Sequence, residues 1–133
     1  MIKKIDHIAI AVKNLDEALQ IYDMLTGAKP SKIETIPHQG VKAALIPIGE
    51  GSEIELLESI DPQSGVAKFV ENRGEGIHHI CLEVEDVDRE LNILADKGVQ
   101  LIDKKGRPGL AGKVGFLHPK SIKGVMIELA QKL

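Results

Sequence analysis

Residues 5–27, IDHIAIAVKNLDEALQIYDMLTG, and residues 77–98, IHHICLEVEDVDRELNILADKG, are two copies of one pattern. A shift of 72 residues puts His7 on His79, Val12 on Val84, Leu15 on Val87, Asp16 on Asp88 and Leu19 on Leu91. Further on, SEIELLE (52–58) resembles VMIELAQ (125–131), and Glu55 meets Glu128 at a shift of 73. Two copies are too few for a solenoid, in which each repeat buries its face on the next. A duplicated α+β module fits better.

Each copy reads strand, helix, then further strands. IDHIAIAV alternates, with Ile8, Ile10 and Val12 on one face and His7, Ala9 and Ala11 on the other, the period of a strand. In NLDE (14–17), Asn14 can cap a helix and Glu17 can reach back to it. Leu15, Ala18, Leu19, Tyr22 and Leu25 follow helical spacing, and Gly27 is a stop. In the second copy Asp86 takes the cap position, Val87, Leu91 and Leu94 form the stripe, and Gly98 ends it. Strands are expected at about 41–48, 53–58, 99–103, 113–117 and 124–130, a connecting helix in VAKFVENRG (66–74), and a turn-rich loop in GRPGLAGK (106–113). The whole reads as one domain over 1–133: module one at about 1–62, the connecting segment at about 64–74 and module two at about 75–133.

Composition narrows the function. The net charge of -3 is unlike the basic footprint of a nucleic-acid binder. One Tyr, two Phe and no Trp leave little with which to stack bases. A single cysteine, Cys81, cannot form an internal disulfide and points to a reducing compartment. No apolar run reaches the length of a membrane span, and the N-terminus does not read as a signal peptide. The expectation is a cytoplasmic protein with no membrane and no nucleic-acid partner.

The adjacent histidines of IHHICLEV (77–84) point to opposite faces of their strand. His79 is in phase with Cys81 and opposite Ile80, Leu82 and Val84; His78 falls on the aliphatic face and reads as structural. His7, Glu55 and Glu128 likewise oppose the aliphatic residues of their own strands. Taken singly, each would be an ordinary strand residue. Together they repeat: His to Glu is 48 residues in the first copy (7 to 55) and 49 in the second (79 to 128). Two imidazoles and two carboxylates on one face, if the modules curve into one cup, suit a divalent metal with positions left open for substrate. Cys81 reads as a small apolar filler.

DHIAIAV (6–12), PHQGV (37–41), IELLE (54–58), VAKFVENRGEGIHHICLEV (66–84) and FLHPKSIKGVMIEL (116–129) resemble the methylmalonyl-CoA epimerase family of the vicinal oxygen chelate superfamily. The resemblance runs nearly the length of the chain. It implies two tandem βαβββ modules forming a cup-shaped, incompletely closed mixed β-barrel with helices outside. It also implies interconversion of the methylmalonyl-CoA epimers, in the context of propionyl-CoA metabolism, and metal ligation by His7, Glu55, His79 and Glu128. Cobalt, manganese, nickel, magnesium and zinc are all compatible with such ligands, one ion per chain. A homodimer is the expected assembly. One position departs from the pattern: Ala43 stands where some members carry a glutamate proposed as a base.

Glu128 is the expected catalytic base. The opposite face of the substrate needs a second proton carrier, and His38, Glu34, Lys42 and water are the choices. CoA phosphates call for cations, and Lys120, Lys113 and Arg107 are the expected substrate-binding residues, with Lys104, Lys105 and Lys123 nearby. Two other activities share these features: a glyoxalase-I-like isomerase acting on glutathione hemithioacetals, and a non-catalytic ligand-sequestering protein of the same fold.

Overall fold

The computed structural model describes residues 1–132. The elements in chain order are β1 (Ile2–Val12), α1 (Leu15–Thr26), β2 (Lys32–Ile36), β3 (Val41–Pro47), β4 (Glu53–Ser59), α2 (Gly65–Arg73), β5 (Gly76–Val84), α3 (Val87–Asp96), β6 (Arg107–Gly109), β7 (Gly112–Leu117) and β8 (Ile127–Gln131). The strands form a mixed sheet in the order β2-β3-β4-β1-β5-β8-β7-β6. Two compact units divide the chain: His7–His78, and Met1–Asp6 together with the residues from His79 onward. The division falls inside β1 and inside β5.

In the His7–His78 unit, β1 runs parallel to β4, β4 antiparallel to β3, and β3 antiparallel to β2. Asn14 caps α1 as expected, its side chain accepting from the Glu17 N–H at 2.9 Å. Gly27 closes the helix at φ 71°, a left-handed conformation that favours glycine. One face of the sheet packs on α1: Val12, Leu15, Ala18, Ala44, Ile46 and Leu56 are buried together, with Ile10, Leu19, Tyr22 and Ile54 around them. The stripe on α1 is shorter than its spacing suggests, since Leu25 is 70% exposed.

The unit that begins at His79 repeats this plan. β5 runs parallel to β8, and β8, β7 and β6 are antiparallel in turn. Asp86 caps α3 by accepting from the Arg89 N–H at 3.0 Å. Val84, Val87, Leu91, Leu117 and Leu129 form its helix-side core. Gly115 lets α3 lie close: a Cβ there would stand 2.9 Å from Leu91 Cδ1. The repeat extends to a second set of helix caps. The Leu15 N–H donates to Glu58 Oε1 at 2.5 Å, and the Val87 N–H to Gln131 Oε1 at 3.0 Å. In each unit the last residues of the strand that carries the glutamate thus hold the first turn of the helix, whose N–H groups have no partner within the helix.

Three expected boundaries move. The strand expected at 99–103 is reduced to one bridge, Leu101 to Leu117. The Asp103 side chain takes the Phe116 N–H at 2.9 Å, which removes a donor from the ladder there. The loop expected at 106–113 is a hairpin: Arg107–Gly109 pairs with Gly112–Val114. Pro108 is tolerated because β6 is an edge strand. The strand expected at 124–130 begins only at Ile127, because Gly124 and Val125 donate into a turn, to Pro119 O and Ile122 O. β2 carries no clear sequence signal, as four of its five residues are exposed.

Leu91 is fully buried in the α3 core. Leu91→Ala should lower unfolding stability by about 2–5 kcal/mol, as a large-to-small change in a packed core does, read from the denaturant midpoint with the slope unchanged.

Candidate active site

In a parallel pair, a residue and the one opposite its i+2 neighbour are diagonal neighbours on one face. Ala9 lies opposite Glu55 on β1 and β4, so His7 and Glu55 are such neighbours. Cys81 lies opposite Glu128 on β5 and β8, so His79 and Glu128 stand in the same relation. Both units therefore build one imidazole–carboxylate pair with one register offset. His7 Nε2 is 3.5 Å from Glu55 Oε1. His79 Nε2 is 3.1 Å from Glu128 Oε1, within hydrogen-bond reach. All four side chains are buried, at 1, 5, 3 and 6% exposure. A carboxylate so buried is expensive unless paired, and in each unit the imidazole is there to pair it.

The faces are those expected. In the His7–His78 unit, Ala43 and Leu45 lie opposite Leu57 and Glu55, which puts them on the glutamate's face, away from α1. In the other unit Cys81, Val114, Phe116 and Ala130 form a small cluster on the His79 face. Cys81 is a fully buried thiol that forms no disulfide. His78 is half-buried and meets the Phe69 ring edge-on, with centroids 5.0 Å apart.

The register also sorts the candidates for the second proton carrier. Glu34 is the direct cross-strand partner of Ala43 and shares its face. Lys42 lies opposite Glu58, on the other face. His38 sits exposed in a tight turn at Pro37–Gln39.

The cations divide differently from the sequence reading. Lys113 is ion-paired with Asp88. The Lys113 ammonium, then the Gly106 N–H, hold the Asp88 carboxyl below the usual carboxylate range. Arg107 Nε donates to Asp103 Oδ1 at 3.0 Å, and its guanidinium lies 5.4 Å from the centroid of Phe116. Lys120 is exposed; its backbone N–H donates to His118 Nδ1 at 3.0 Å. Sequence reasoning missed Phe116, which lies opposite Glu128 on β7 and makes a T-shaped contact with His79. Its only signal was the alternation of GKVGFL.

Residues 6–116 match the Glyoxalase/Bleomycin resistance protein/Dioxygenase superfamily. The mitochondrial methylmalonyl-CoA epimerase of Dictyostelium discoideum is 39% identical over 98% of this chain and 80% of its own length. The ethylmalonyl-CoA/methylmalonyl-CoA epimerase of Cereibacter sphaeroides is 38% identical over 98% of this chain and 99% of its own. A variant of the Streptomyces coelicolor methylmalonyl-CoA epimerase, solved in complex with 2-nitronate-propionyl-CoA, superposes with a TM-score of 0.95 at 36% identity, covering 99% of this chain and 96% of that one. The chain therefore belongs to that superfamily and, within it, to the family of methylmalonyl-CoA epimerases. Its fold is the vicinal oxygen chelate fold of that structure. Among the described residues, no helix is long and apolar enough to cross a membrane.

Proposed function

We propose that the chain is a metal-dependent epimerase that interconverts (2R)- and (2S)-methylmalonyl-CoA. The observation that carries this reading is the twice-built, buried His–Glu pair, in a chain similar over nearly its whole length to proteins named for this reaction. The donor set fits a divalent metal: two imidazoles, two carboxylates, all buried, with Nε2 of each imidazole already facing a carboxylate oxygen. His7, Glu55, His79 and Glu128 would hold one ion between them. When bound, it supplies Lewis-acid stabilisation of the negative charge that builds on the thioester oxygen.

The α-carbon of the substrate lies between a thioester and a carboxylate, and its proton must leave from one side and return on the other. Glu128 is the base on one side; a ligand carboxylate is not barred from proton transfer. For the other side Ala43 offers only a methyl group. We assign that role to Glu34, the carboxylate across from Ala43 on the Glu55 face. Lys120 is the first choice for the CoA phosphates: among the described residues it has no ion pair, whereas Lys113 and Arg107 must loosen from Asp88 and Asp103 to reach a phosphate. The assembly is a homodimer working in the reducing cytoplasm, in keeping with its one buried thiol; a solution mass at 14.4 kDa would remove the dimer.

The deciding experiment is proton exchange in D₂O. The protein should carry deuterium into the α-position of methylmalonyl-CoA, lose that activity with chelator and regain it with a divalent ion. Glu128→Gln should lower epimerisation by at least about a hundredfold, the range of a lost acid–base group. Glu34→Gln should suppress epimerisation while leaving deuterium exchange from one epimer. Equal loss from both epimers would remove Glu34 from the mechanism. No exchange by a metal-loaded protein would turn attention to glutathione hemithioacetals.

Lys120→Ala should raise KM for methylmalonyl-CoA more than it lowers kcat, as the loss of a contact made equally in ground and transition states does. Steady-state kinetics decide this, and an unchanged KM clears Lys120 of phosphate binding.

A further inference from the structure

A chain of contacts in the unit that begins at His79 ends on its imidazole. Asp103, in the loop before β6, accepts from Arg107 Nε at 3.0 Å through one oxygen and from the Phe116 N–H at 2.9 Å through the other. The Arg107 guanidinium carbon lies 5.4 Å from the Phe116 centroid, close enough for a cation–π contact. The Phe116 ring then meets the His79 ring at 5.1 Å, with the planes at 87°. His79 Nε2 faces Glu128 Oε1 at 3.1 Å, and Phe116 is the cross-strand partner of Glu128.

These contacts divide the work of fixing an imidazole. The torsion that turns a histidine ring about its Cβ–Cγ bond has broad minima, so surrounding groups set the ring plane. Glu128 fixes where one nitrogen points. The Phe116 ring, perpendicular to the imidazole, fixes the plane. Phe116 is held in turn at its backbone by Asp103 and at its ring by Arg107, and Asp103 ties those two restraints together.

We infer that Asp103, Arg107 and Phe116 are positioning residues that orient His79. Arg107 thereby acts near the imidazole as well as, or in place of, at a phosphate. The effect on metal binding rests on the ligand set proposed above; the effect on the ring does not. If Phe116 were only a filler beside Cys81, Val114 and Ala130, Asp103 and Arg107, which lie outside that cluster, would have no influence on His79.

The test uses metal-free protein labelled with ¹³C-histidine. The His79 resonance is assigned by its loss in His79→Gln. Phe116→Leu should shift it more than the other four histidines. Asp103→Asn and Arg107→Gln should shift it in the same direction by less. Co²⁺ affinity, measured by titration calorimetry, should fall about tenfold in Phe116→Leu, as for the loss of a group that orients a metal ligand, and a few-fold in the other two. If Asp103→Asn fails to fold, Arg107→Gln carries the test, because that side chain is about a third exposed. A His79 resonance unmoved by Asp103→Asn and Arg107→Gln, in proteins that melt like the parent, overturns the inference. A parent protein that binds no Co²⁺ overturns the ligand set instead, and the resonance still decides the positioning role.

Discussion

Everything at the site depends on burying a carboxylate beside an imidazole, and that depends on the register of two parallel strands. Glu55 and Glu128 are almost wholly removed from water. An ionised carboxylate in that setting is tolerable only with a partner at close range. The partner is available because the strand bearing each glutamate runs parallel to the strand bearing each histidine, with the glutamate opposite the residue two positions on. A slip of one residue would turn the glutamate onto the helix face, among Leu56 and Ile54 or Leu129 and Ile127. The register is therefore guarded from both sides: the apolar alternation penalises a slip on the helix face, and the paired charge penalises it on the other.

The helices share in this. A parallel pair needs a crossover connection, and here each connection contains a helix. Glu58 and Gln131, three residues beyond Glu55 and Glu128, cap the first turns of α1 and α3. The cap bond ties the start of each helix to the end of the glutamate strand. The chain thus couples a helix-capping bond to the alignment of a buried carboxylate, and does so twice.

Much of this was legible in the sequence because it is periodic. The duplicated His…Glu spacing, the cap residues Asn14 and Asp86, and the alternation that separates His79 from His78 are all patterns that sequence alone displays. What escaped was what periodicity cannot express. β2 is an exposed edge strand whose side chains need not alternate. The strand expected at 99–103 fails because one side chain, Asp103, takes a backbone donor. Lys113 and Arg107 are expected from the sequence as cations for the CoA phosphates, yet each has a carboxylate partner 25 or 4 residues away in the chain, and only folding shows that those charges are engaged.

That engagement changes how the positive charge near β6 and β7 should be understood. With its folded carboxyl held below the ordinary range by Lys113 and the Gly106 N–H, Asp88 favours folding fully above the unfolded-state value. The contribution is lost only as the pH falls through the lower folded value. At neutral pH Asp88 is charged and Lys113 stays with it. A phosphate arriving there meets a cation already partnered, and must compete with a carboxylate rather than with water. Lys113 and Arg107 are in this sense structural cations: one ties β7 to α3 through Asp88, which also accepts from the Gly106 N–H, and the other lies against the Phe116 ring that meets His79. A ligand that carries its own negative charge finds less opposition at an exposed cation such as Lys120. On the proposed reading the same residue type serves the fold at Lys113 and the ligand at Lys120, and the neighbouring carboxylates decide which.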